Sequence, residues 1–241
     1  MKKEKLIILA LDSTAEVSSV AVCDREKLLS EITVNTGNTH SATLLPALEQ
    51  ALRMAEITVN DVDVFACSTG PGSFTGVRIG AATVKGIAYG KNKPCVSVST
   101  LEALAYNLSD RDGVICPVMN ARRQQVYNAL FSSNNGEIER LCPDRAISIS
   151  ELDEELSAND APVYLCGDGY EITRDGFKKT AIEEVGIRHR YQSAYSVAQI
   201  ALKKYIGNET VSASELVPIY LRPSQAERER QAKLEAEKEV Q

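Results

Sequence analysis

The chain has 241 residues, 44% hydrophobic and 25% charged, with no tryptophan, which fits one large or two small globular domains around an aliphatic core. Its net charge of −6 argues against a protein that holds nucleic acid on a basic face of its own. The opening "MKKEKLIILALDST" breaks its apolar run at Asp12 and has no cleavage signature, which argues against a membrane span or leader and gives a cytoplasmic expectation.

In chain order, "KLIILALDST" reads as a buried strand ending in a polar turn, and "SSVAVCD" and "KLLSEITVN" follow as a hairpin around Arg25 and Glu26. "HSATLLPALEQALRMAE" places Leu44, Leu45, Leu48, Leu52 and Ala55 at helical spacing, with Ser41 or Thr39 as the cap and Pro46 near the first turn. "VDVFACST" is a strand, "STGPGSFTGVRIGAATVKGIAYG" a glycine turn leading into a helix, "PCVSVST" a strand and "LEALAYNLS" a helix. That order predicts an α/β layer on a mixed sheet.

A second round begins near Gly113. "GVICPVMNARRQQVYNALFSS" reads as two strands around a turn at Ala121-Arg122, "NNGEI" as a turn, "ISELDEEL" as a short helix and "APVYLCGDGY" as a strand entering a glycine turn. "IRHRY", "SVAQIALKKYI" and "LVPIYLR" read as strand, helix and strand. The expected organisation is a first half over 1–110, a smaller and more irregular half over 111–224, and a charged tail over 225–241 read as a frayed, solvated helix. Six cysteines without a Cys-x-x-Cys pair lie mostly in or beside apolar runs and read as buried, reduced thiols.

Gly70, Gly72 and Gly76, between a strand and a helix, raise the question of a phosphate cradle. The Walker spacing and its lysine are missing, since Val77 follows the last glycine, and the dinucleotide pattern fails by one residue. Two readings stay open: an anion at the helix N-terminus, with Asp12, Ser13 and Ser73 as further candidates, or a tight turn and close backbone contact. Asp12 fits equally a carboxylate that positions magnesium-bound phosphate and an Asx turn. "GPGSFTG" is not a Gly-x-Ser-x-Gly elbow, and two isolated histidines, His40 and His189, offer no metal motif. The helix itself carries Gly76, Gly80, Ala81, Ala82, Gly86 and Ala88. Because an interior glycine costs about 1 kcal/mol relative to alanine, this composition favours close approach of another helix, internal or from a second subunit.

Together "LDSTAEVSSVAV", "THSATLLPAL", the glycine stretch, "VSVSTLEALA" and "NARRQQVYNALF" closely resemble the TsaB (formerly YeaZ) family, over about 7–222. The resemblance implies an actin-like, sugar-kinase-like (ASKHA) α/β fold of two RNase H-like halves with mixed sheets. It also implies a non-catalytic subunit of the bacterial complex that forms N6-threonylcarbamoyladenosine on tRNAs reading codons that start with A. The implied partners are TsaD and TsaE, with a homodimer as an alternative to TsaD and tRNA reached through the complex. No cofactor of its own is expected; ATP and a metal ion belong to the partner subunits. TsaD-like sequences carry a metal-binding His-x-x-x-His where this chain has Thr100 and Leu104. Where the family usually has Asp-Ala-Arg, this chain has Asn120-Ala121-Arg122.

The resemblance assigns the partner interface to His40, Leu44, Leu45, Leu48, Leu52, Gly76, Val77, Arg78, Gly80, Ala81, Val84 and Ala88, with no catalytic or metal residues. Leucine at Gly80 or Gly86 is expected to weaken partner binding and leave the monomer folded. The competing reading is an actin-like ATPase or small-molecule kinase around Asp12 and the Gly70-to-Gly76 turn. A peptidase lacks both a metal pair and a triad.

Overall fold

Alternation of branched and small apolar residues sends the first strand's side chains to two faces, and both faces are buried. The computed structural model describes residues 6–222, so the expected tail helix lies outside the described residues. Strands β1 (Ile8–Asp12), β2 (Ser18–Cys23) and β3 (Leu28–Val34) form an antiparallel meander. After helix α1 (His40–Met54), strand β4 (Val64–Gly70) pairs parallel with β1. Helix α2 (Phe74–Tyr89) then leads to β5 (Cys95–Ser99), parallel to β4, and α3 (Thr100–Tyr106) follows. The order β3-β2-β1-β4-β5 is the mixed, RNase H-like sheet expected.

The second half is built on β6 (Gly113–Asn120). The end of β6 pairs antiparallel with β7 (Gln125–Asn128), its start with β8 (Phe131–Asn134), and it runs parallel to β11 (Val163–Cys166). Strands β9 (Glu137–Arg140) and β10 (Arg145–Ser148) extend the sheet beside β8 and β7. Helix α4 (Ile149–Leu156) starts at a capping box, in which Ser148 and Glu151 satisfy each other's backbone amides. Helix α5 (Tyr170–Gly176), the short α6 (Ile187–Arg190) and α7 (Ala194–Ile206) follow, and a segment without helix or strand runs from α7 to residue 222.

Two expectations are corrected. "IRHRY" forms the turn of helix α6 rather than a strand. "LVPIYLR" is extended but joins no sheet: Pro218 cannot donate to a ladder, and Ile219 makes one backbone bond, to Thr69 (2.7 Å). The two faces of the first sheet are covered by different parts of the chain. Leu9 and Leu11 face α1 and α2, whereas Ile8 and Ala10 face Ala194, Val197 and Ala201 of α7, so the chain returns to cover the first sheet's other face. Helix α3 serves both halves, with Ala103 in that layer and Leu101 and Leu104 in the second half's core around Ile115, Phe131 and Leu165.

Candidate functional site

The candidate phosphate residues do come together, but they satisfy one another. Asp12 is fully buried; one carboxylate oxygen accepts from the Thr14 amide (2.9 Å) and hydroxyl (2.7 Å), the other from Ser68 Oγ (2.5 Å). Burial drives its pKa upward against those hydrogen bonds. The bond to the amide two residues on is the Asx turn, so Asp12 is not presented to a ligand. Ser13 Oγ donates to the Gly76 carbonyl (2.8 Å), the Ser73 amide to the Thr14 carbonyl (2.7 Å), and the Gly76 amide to Ser73 Oγ (3.3 Å). The loop after β1 is thus tied to the glycine turn, and Thr14, Gly72, Ser73 and Gly76 line the first-half wall of the cleft between the halves. Glycine is required there for contact: a Cβ on Gly76 would lie 2.0 Å from the Ser13 carbonyl oxygen, and one on Gly72 2.4 Å from that of Thr14. Gly70, at φ +123°, occupies backbone space closed to other residues.

The same contacts reassign the helix glycines. A Cβ on Gly80 would meet Ser13 Oγ at 2.6 Å and Leu11 at 3.2 Å, so this glycine admits the β1 end rather than another helix. Gly80→Leu therefore disrupts the monomer, contrary to expectation, whereas Gly86 has nothing within 4 Å.

Of the interface residues read from sequence, Leu44, Leu48, Leu52, Val77, Ala81, Val84 and Ala88 are buried in the chain's own core, as are Gly76 and Gly80. Their periodicity marks the inward face of each helix. Leu45 and Arg78 are exposed, and His40 is half-buried with Nε2 donating to the Ala15 carbonyl (2.6 Å). The outward faces hold Leu45 and Met54 on α1, and Arg78, Ala82, Gly86 and Tyr89 on α2. Tyr89 is 77% and Met54 63% exposed, unusual for large apolar side chains. Thr39 precedes α1 as its N-cap, its hydroxyl accepting from Ser41 Oγ (3.2 Å) rather than from a helix amide, and Pro46 lies inside the helix on its exposed side.

Between the halves lies a cleft of about 840 Å³. Glu16, His40 and Phe74 line it from the first half, and Asn120, Tyr127 and Asp168 from the second. Asp168 is open to the cleft's water, yet partial desolvation by the walls pushes its pKa up to about 6. The nearby Glu16 charge adds to the rise, and the Asn120 and Gly169 amides oppose it. Asn120 Oδ1 accepts from the Arg122 amide (2.8 Å), a role an aspartate would fill equally, while the Asn120 backbone N–H donates to Asp168 (3.3 Å). Asp168 went unnoticed in the sequence, although "CGDGY" flanks it with glycines and Gly167 adopts φ +103°.

The metal positions of TsaD-like sequences do not fit a metal here. Thr100 and Leu104 begin α3 with their side chains fully buried, and neither is an imidazole. Among the described residues no group of three or more His, Cys, Asp or Glu could hold an ion. No described helix is long and apolar enough to cross a membrane.

Residues 27–229 match the family model described as TsaD: tRNA N6-adenosine threonylcarbamoyltransferase. The chain is similar to the tRNA threonylcarbamoyladenosine biosynthesis protein TsaB of Bacillus subtilis (strain 168), 30% identical over 92% of this chain and 96% of that one. It is also similar to TsaB of Haemophilus influenzae, 30% identical over 91% of this chain and 94% of that one. The solved YeaZ of Pseudomonas aeruginosa shares the fold, with a TM-score of 0.77 at 24% identity, covering 90% of this chain and 100% of that one.

Proposed function

The chain belongs to the TsaB family, and from that membership we propose that it is a subunit of the machinery for threonylcarbamoyladenosine biosynthesis on tRNA, without an active site of its own. In this reading it pairs with TsaD, TsaE docks on the pair, and tRNA, ATP and metal are handled by the partners. The observation that carries the docking reading is the outward face of α1 and α2: Leu45, Met54 and Tyr89 are large and exposed, while Ala82 and Gly86 leave room for a second helix to approach. A partner bound there acts by differential affinity, favouring whichever conformation of TsaD the chain binds more tightly. The buried Thr100 and Leu104 and the self-satisfied Asp12 support the absence of catalysis.

Two experiments test this. Omitting the chain from a mixture of TsaD, TsaE, threonylcarbamoyl-adenylate and tRNA should abolish modification; undiminished modification overturns the reading. Gly86→Leu should lower TsaD affinity at least about tenfold, or 1.4 kcal/mol, while the monomer's Tm holds or rises. Unchanged association in titration calorimetry would exclude the α2 face. The competing ATPase or kinase reading puts nucleotide at Asp12 and the Gly70-to-Gly76 turn, of which Gly72, Ser73 and Gly76 line the cleft, and it requires nucleotide binding by the isolated chain that is lost in Asp12→Ala.

A further inference from the structure

The segment after α7 runs back along α2 in the opposite direction. Lys85 Nζ donates to the Ser214 carbonyl (3.1 Å), and further on the Tyr220 ring stacks on Phe74, centroids 4.7 Å apart and planes 10° from parallel. Arg78 Nε donates to the Tyr220 hydroxyl (2.8 Å), with its guanidinium 5.4 Å and 5.8 Å from the Tyr220 and Phe74 ring centroids. The backbone is pinned between these points, because the Ile219 amide donates to Thr69 and a Cβ on Gly70 would lie 2.3 Å from the Ile219 carbonyl oxygen.

Past Tyr220 the segment crosses to the other half. Arg222 donates to the Ala121 carbonyl (3.4 Å) and to Gln125 Oε1, and its guanidinium lies 5.9 Å from the Tyr127 ring centroid. Phe74, Ala121 and Tyr127 all line the cleft, so one short segment is fastened to both of its walls. The wall it grips on the second half is strained. Arg122, Arg123 and Gln124 all adopt left-handed backbone, at φ 63°, 54° and 57°, a conformation that persists only where surrounding contacts hold it. The Ile149 amide at the start of α4 holds the Gln124 carbonyl (3.1 Å), and Arg222 grips Ala121 and Gln125, the residues on either side of the three.

We propose that residues 219–222 are a clasp that holds the two cleft walls together and links the N-terminal end of α2 to the β6–β7 hairpin. A body that displaces Tyr220 from Phe74 and Arg78 thereby loosens the hairpin across the cleft. This inference concerns the isolated full-length chain and stands or falls independently of the TsaD assignment.

Hydrogen exchange of the full-length chain, read by mass spectrometry, tests it in Tyr220→Ala/Arg222→Ala. Amides over 119–127 should exchange about tenfold faster, and trypsin should cut sooner after Arg122 or Arg123, while α7 keeps its protection. Unchanged exchange over 119–127, with 217–222 itself freed, overturns the clasp. Uniform acceleration throughout, α7 included, overturns it equally, since that is general destabilisation. If the double variant fails to fold, Arg222→Ala alone, which removes only a half-buried side chain, decides by the same outcomes.

Discussion

Asp168 is the residue whose chemistry departs furthest from its type among groups open to the cleft. In the folded protein it keeps its proton up to about pH 6, whereas an unconstrained aspartate releases it near 3.8. The folded state therefore binds the proton more tightly, and this residue's contribution to stability falls as pH rises from 3.8 to 6 and stays low above that. Asp168→Asn keeps an acceptor for the Asn120 amide and removes the charge. Solvent access screens the effect, so we expect Tm to rise by about 1–2 °C at neutral pH and to be unchanged at about pH 3.5. Differential scanning calorimetry at the two pH values checks this, and an equal shift at both would point to packing rather than charge. Asp153 has the opposite sign. Burial raises its pKa, but the amides of Lys178, Lys179 and Thr180 outweigh that and hold it below 3.8.

At the scale of elements, α2 has two kinds of glycine, and substitution separates them. Gly76→Ala forces a Cβ against the Ser13 carbonyl, an overpacking that should cost about 1–3 kcal/mol and lower Tm by roughly 3–10 °C. Gly86→Ala meets open space and should raise Tm by about 2–4 °C through helix propensity. Thermal melts of the two variants check the contrast, and the same sign for both would contradict the contacts described. The helices themselves were legible in the sequence, because Leu44, Leu48 and Leu52 recur with the helical period. Which neighbour that face meets was not legible, since periodicity reports an apolar face and the chain's own core claims it first. For the same reason Gly80 suggested a helix–helix contact when its partner is Ser13, 67 positions earlier. The last segment misled in another way. Leu216, Val217, Ile219 and Tyr220 have strand composition, but a side-chain stack and one backbone bond, rather than a ladder, place them.

At the scale of the whole molecule, the thiols sample all three packed layers. Cys67 and Cys95 lie in the layer under α1 and α2, Cys23 in the layer under α7, and Cys116 and Cys166 in the second half's core; Cys142 is half-buried. Burial lifts the Cys95 thiol to about 11 and the Cys23 thiol to about 12, which suppresses the reactive thiolate. A disulfide reagent should therefore modify one of the six thiols promptly in the native protein and all six in guanidinium. Prompt modification of two or more would place a thiol outside its layer. The return of α7 to the first sheet also orders events during synthesis. The strands from Ile8 to Ser99 leave the ribosome before Ala194 does, so one side of their sheet, with Val64, Ala66, Val96 and Val98, has only α3, with Ala103, from the early chain against it while the stretch from β6 to α6 is translated. A nascent chain halted near Gly186 would present that greasy surface to chaperones, and release from them should coincide with emergence of residues 194–206.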